Sequence, residues 1–140
     1  MKAARRAAQF GVGLLFDSLV TPARAGALVA ENRAAGGTEP CVLIRRAWVG
    51  DPPRADVDRQ LDVYRSYAPT NAPTHWGTDE MAVGATGDDI AKQLVDAAQT
   101  AGVDALNLRV HVPGLGVDDA REQIRRLGAD VVPRVKEALT

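Results

Sequence analysis

A single cysteine, Cys41, excludes an intrachain disulfide framework and fits a reducing compartment or simple indifference to redox state. It is flanked by Pro40 and Val42, with neither histidine nor carboxylate directly beside it. It therefore reads as a small buried apolar side chain rather than a nucleophile. The only histidines, His75 and His111, have no metal-ligand spacing, so no metal site is expected. A phosphate-binding loop is missing too: Gly11 and Gly13 are not followed by the rest of a dinucleotide fingerprint. No apolar run is long enough to span a bilayer. The net charge of −1 removes any global electrostatic case for nucleic acid or an anionic membrane. The N-terminus, MKAARRAAQF, is basic and alanine-rich but lacks the apolar segment and cleavage site of a secretory signal. It reads as the tail of a helix. Together these absences predict a cytoplasmic protein with no metal, no nucleic-acid partner and no membrane.

What is present is an alternation of helical and extended patterns over 140 residues, enough for a single domain spanning 1–140. The clearest unit is Thr86 to Gly114. Thr86 and Asp89 form a capping box, and Asp88 and Asp89 place negative charge at the helix N-terminus. Ile90, Leu94, Ala97, Ala98 and Ala101 make an apolar stripe, and Gly102 suits the left-handed residue after the last turn. From Val103 to Val112 the period becomes two: Leu106, Leu108, Val110 and Val112 alternate with Asn107, Arg109 and His111.

The rest follows the same grammar. Phe10 to Ser18 reads as a buried strand ending in Asp17 and Ser18. Thr21-Pro22 starts a helix that runs to about Ala35, with Ala25, Leu28, Val29 and Asn32 on one side. Cys41 to Gly50 reads as a second strand whose apolar first half fits cover on both faces. Ala55 to Tyr67 is a helix, and Ala68 to Ala85 is irregular, a loop length that inside a compact domain is usually functional or mobile. Val117 to Leu139 is a last amphipathic helix started by Asp118 or Asp119. Its stripe is Ile124, Leu127, Val131, Val135 and Leu139, and Pro133 should kink it. Strands alternating with helices predict a parallel α/β sheet. Three strands alone leave two open edges, and the first helix has no start signal. Both suggest that the N-terminal part of a larger α/β fold is absent.

Four segments in this order resemble the C-terminal part of the bacterial luciferase-like flavin-dependent monooxygenase family. They are Ala3 to Gly13 (AARRAAQFGVG), with Val12 where the family has Asp between two glycines; Cys41 to Asp51 (CVLIRRAWVGD); the Thr86 to Gly114 unit, with Thr86-Gly87 where a small residue and proline are common; and Gln123 to Pro133 (QIRRLGADVVP). The resemblance covers nearly the whole chain. It implies a partial (β/α)8 TIM barrel, about the last three βα units with 51–85 as the insertion after strand 7, from a fold roughly twice this length or more. It also implies a flavin oxidoreductase using FMN or a deazaflavin coenzyme on a small-molecule substrate. Much of the family's flavin contact comes from strands 3 to 5, so the chain is expected not to be active alone. The alternative is a non-catalytic α/β association module completed by a homo-oligomer or by a separate N-terminal half.

In a barrel the active face lies at the C-terminal strand ends. That selects Asp17, Ser18, Trp48, Arg109 and His111. Asn107 and Arg109 would point inward with His111 at the mouth, where a cation holds an anionic group and an imidazole moves a proton. The structural alternatives are Arg109 paired with a carboxylate such as Asp17, and Asp17-Ser18 serving as turn chemistry. Arg45 and Arg46 face opposite ways, so at most one enters the interior. His75-Trp76 reads as a lid lining or, better, as Trp76 covering the loop's own cluster.

Overall fold

Local signals set most helix ends in the computed structural model, which describes residues 2–67 and 81–140. Helix α1 (Lys2–Gln9) closes on Gly11, whose φ of 62° only glycine adopts freely. The Gly11 N–H donates to the Ala8 carbonyl and the Val12 N–H to Ala7, a Schellman closure. Strand β1 is Leu14–Phe16, followed by α2, Pro22–Ala34, where the Thr21 hydroxyl accepts from the Arg24 N–H. Strand β2 is Cys41–Val49 and α3 is Arg54–Tyr67. A short β3, Ala82–Gly84, precedes α4, Gly87–Ala101. Both halves of the Thr86/Asp89 capping box form, and Gly102 takes the left-handed position at φ 58°. Strand β4, Ala105–Arg109, leads to α5 (Val117–Arg126), a π-helical turn (Leu127–Val131) and α6 (Val132–Leu139).

Several boundaries differ from those predicted. The first strand begins at Leu14, not Phe10, because the α1 closure turns the chain there and leaves Phe10 75% exposed. β3 lies inside the stretch predicted to be irregular. No side chain caps α5, whose N-cap is Gly116; Asp118 and Asp119 instead occupy the first turn. Pro133 acts through the π turn just before it. A proline breaks the i→i−4 ladder, and the wider turn absorbs the missing bond. That turn also shifts the helix phase, so Gln123 is buried at 6% exposure while Ile124 is 60% exposed.

All strand pairs are parallel, and β2 is central. β1 pairs with its first half (Leu14↔Cys41), β4 with its middle (Ile44↔Asn107, Arg46↔Arg109) and β3 with its end (Trp48↔Val83). Among the described residues, β1 and β4 each pair with β2 alone. Register fixes two faces, since paired residues project the same way. One carries Leu14, Phe16, Cys41, Leu43, Arg45, Ala47, Val49, Leu106 and Leu108; the other carries Leu15, Val42, Ile44, Arg46, Trp48, Asn107 and Arg109.

The first face is the helix-covered one. Cys41 and Leu43 are fully buried with Phe16, Ala25, Val29 and Ala101. Ala47 and Val49 pack with Ile90, Leu94, Leu127 and Val131, and Leu106 and Leu108 add to that cluster. Helices α2, α4 and α6 contact one another in series, with α1 against α2. A third cluster joins α3 (Val57, Leu61) to Leu19 after β1 and Val112 after β4. α3 thus lies across the C-terminal ends of the sheet. No helix among the described residues is long and apolar enough to cross a membrane.

Candidate functional site

The second sheet face carries the charged groups that helix packing does not use. Arg46 and Arg109 lie opposite each other on neighbouring strands. Like charges so placed repel, unless other groups draw the guanidiniums apart. Helix α3 provides that separation. Arg46 Nη2 donates to Gln60 Oε1 at 2.7 Å, and Arg109 Nη2 donates to the Tyr64 hydroxyl at 3.1 Å. Gln60 and Tyr64 are four residues apart, so one helical face serves both arginines. Arg45, on the opposite face, donates to the carbonyls of Ser18 (3.3 Å) and Val20 (2.8 Å), tying β2 to the turn after β1. Arg46 is therefore the member of the pair that shares the face of Asn107 and Arg109.

Beneath α3 is a cavity of about 230 Å³, lined by Asp17, Ser18, Leu19, Ile44, Tyr64, Tyr67 and Arg109. Its aromatic wall is an edge-to-face pair: the Tyr64 and Tyr67 ring centroids are 6.0 Å apart at 71°. Asp17, Ser18 and Arg109, predicted from separate strand ends, meet here. Asn107 lies one pleat earlier on the same face and is exposed, and His111, beyond β4, is exposed; neither lines the cavity.

Asp17 does not pair with Arg109. Its Oδ1 accepts the backbone N–H groups of Leu19 (2.8 Å) and Val20 (3.2 Å), so the carboxylate organises the turn into α2, as an Asx turn does. The predicted alternative of an Asp17–Arg109 ion pair is thereby corrected. Among the described residues, the half-buried Arg109 has no carboxylate partner. Trp48 shares this face and is buried; Cys41 is buried, as expected of a small apolar residue. His75 and Trp76 lie outside the described residues.

Sequence reasoning did not assign Tyr64, Tyr67 and Gln60 to the site. The signal available was their spacing on α3, with Gln60 and Tyr64 one turn apart and Tyr67 the next aromatic on. It becomes legible only once α3 is known to lie over the strand ends. Among the described residues no group of three or more His, Cys, Asp or Glu side chains could hold a metal ion.

No family model matches this chain, and no curated protein does either. Solved structures do. A monooxygenase, RslO1 from Streptomyces bottropensis, superposes with a TM-score of 0.66 at 15% identity, over 94% of this chain and 44% of its own. The structure of apo-MsnO8 superposes with a TM-score of 0.55 at 16% identity, over 99% of this chain and 48% of its own. At these identities the likeness is one of fold. The chain spans less than half the length of either structure.

Proposed function

We propose that the chain supplies about the last three βα units of a luciferase-like (β/α)8 barrel, and that the whole protein is a flavin-dependent oxidoreductase of the monooxygenase type. The observation that carries this reading is the convergence of Asp17, Ser18 and Arg109 with the Tyr64–Tyr67 pair at the C-terminal ends of parallel strands. That is the end at which barrels of this kind hold their reacting groups. The fold likeness to a monooxygenase supports it, as does the β1–β2–β4 pairing, which is the neighbour order expected of strands 6, 7 and 8.

Bound FMN would supply electrons to oxygen, or a deazaflavin a hydride to the substrate. The residues present fit the substrate side of such a site better than the flavin itself. The cavity, about 230 Å³, falls below the range of about 300–1,000 Å³ usual for larger ligands, and no glycine-rich loop cradles a phosphate. The flavin is therefore assigned across the strand ends, held mainly by strands outside these residues. In this arrangement Arg109 orients an anionic group, Tyr64 and Tyr67 offer an aromatic wall to the substrate, and Asp17 fixes the turn that carries Ser18.

The test is FMN titration followed by flavin fluorescence, on the chain alone and joined to any coding segment found upstream of Met1. Saturable quenching with the upstream segment supports the reading, and none in either form refutes it.

A second reading, a non-catalytic association module, draws on the strand edges left open among the described residues. Phe10, Val12 and Leu15 are exposed around β1. An apolar groove of about 480 Å³ runs along β4, walled by Leu106, Leu108, Val135 and Leu139. Light scattering with no flavin response favours this reading if the chain self-associates. An upstream segment encoding five further strands favours the enzyme.

A further inference from the structure

We infer that the cavity beneath α3 binds a small organic carboxylate with a planar apolar body, the carboxylate seated on Arg109 and the body against the Tyr64–Tyr67 pair. The inference deepens the proposed function by naming the ligand class of the same site, and rests on that reading for its place in a reaction. Its physical support is separate.

Arg109 is a permanent cation with five N–H donors, set at the edge of the strand ends and half-buried. The only hydrogen bond its side chain makes among the described residues is to the Tyr64 hydroxyl. A guanidinium removed from water without a carboxylate partner is costly, and a bidentate oxyanion offsets that cost best. The one carboxylate lining the cavity among the described residues, Asp17, is already engaged by two backbone N–H groups and holds the turn rather than the arginine. The anion is therefore assigned to a bound ligand.

Shape narrows the class. A dry cavity of about 150 Å³ accepts a single benzene ring. The space here, about 230 Å³, accommodates one ring with a carboxylate but not a fused three-ring system. Beyond Arg109, Asp17 and Ser18, the described wall is apolar or aromatic: Leu19, Ile44 and the two tyrosine rings. A ring edge at Tyr64 and Tyr67 extends the edge-to-face geometry already present. An inorganic anion would leave that wall uncovered, and a neutral ring would leave Arg109 without its oxyanion.

The experiment is NMR titration of the 140-residue chain with benzoate, benzamide and inorganic phosphate. It follows the Arg109 side-chain N–H and the Tyr64 and Tyr67 ring signals. Benzoate is expected to shift all three saturably. Benzamide, which lacks the charge, should bind at least about tenfold more weakly, as should benzoate to Arg109→Gln, since a charged hydrogen bond is being lost. Arg109→Lys, which keeps the charge but not the fork, should fall between. The benzamide comparison uses the unaltered chain, so it stands even if a variant fails to fold. Equal binding of benzamide and benzoate overturns the inference, as does tighter binding of phosphate than of benzoate, or shifts that leave Arg109 unmoved. No flavin is present, so the two readings fail separately. Benzoate binding without any FMN response leaves this inference standing alone, and FMN binding without benzoate shifts removes it and leaves the flavin reading.

Discussion

Replacing Gln123 by Leu should destabilise the chain more than replacing Ile124 by Gln, the reverse of what the hydrophobic pattern of α5 suggests. Gln123 is buried, and its amide works as a neighbouring strand would. Oε1 accepts the Val49 N–H at 2.9 Å, and Nε2 donates to the Val49 carbonyl at 3.1 Å. The carbonyl also receives Arg126 Nη1 at 3.2 Å, so it keeps one donor when Gln123 is lost. The Val49 N–H keeps none among the described residues. An orphaned buried donor costs about 1–3 kcal/mol and a net hydrogen bond about 0.5–1.5 kcal/mol, so the expected loss for Gln123→Leu is about 2–4 kcal/mol. Leu roughly conserves the volume, which limits any cavity contribution. Ile124 is mostly exposed, and Ile124→Gln should fall within about 0.5 kcal/mol of the unaltered chain. The assay is urea unfolding followed by circular dichroism, with the slope checked so that the midpoint shift reports stability. Equal losses, or a larger loss for Ile124→Gln, would refute the assignment of the buried face.

Gly13→Ala should destabilise by at least about 1 kcal/mol, because the added Cβ would sit 2.0 Å from the Pro40 carbonyl oxygen and the backbone has to move; thermal unfolding checks it against Gly128→Ala, where the same atom meets open space. The Glu122 carboxyl is held below its ordinary value by its hydrogen bond to Arg125, so its contribution to stability is present above the unfolded pKa and fades as pH falls through the lower folded one. Carbon-detected NMR titration of Glu122 should show that depression, and Arg125→Gln should abolish it. Because the pair is exposed, salt should shrink the smaller, coulombic part of the shift and leave the hydrogen-bonded part.

The features that sequence patterning read well are local. The Thr86/Asp89 box, Gly102 and the Thr21-Pro22 start each depend on residues within one turn of each other, and each forms as expected. The alternation after Asp104 likewise separates an aliphatic face from a polar one, and Leu106 and Leu108 do pack on the helices. What was not legible depends on partners distant in the chain. Ala82–Gly84 has no alternation of its own and is a strand only because Ala47–Val49 pairs with it. The opposite orientations of Arg45 and Arg46 follow from strand geometry, but which one joins Arg109 follows from register with β4. Projecting a 3.6-residue stripe back through Leu127 selects Ile124, and the π turn moves that position to Gln123. At the site, the strand ends named Asp17, Ser18 and Arg109, whereas the tyrosine wall needed the placement of α3.

The most direct test of the central claim is to locate flavin on the chain. Reduced FMN added at millimolar concentration to isotopically labelled protein should shift backbone amides at the C-terminal strand ends, around Asp17, Ser18, Gly50, Arg109 and His111. Signals at the opposite ends, near Gly13, Cys41 and Val103, should stay in place. Shifts confined to those opposite ends, or spread evenly over both ends, would contradict the account.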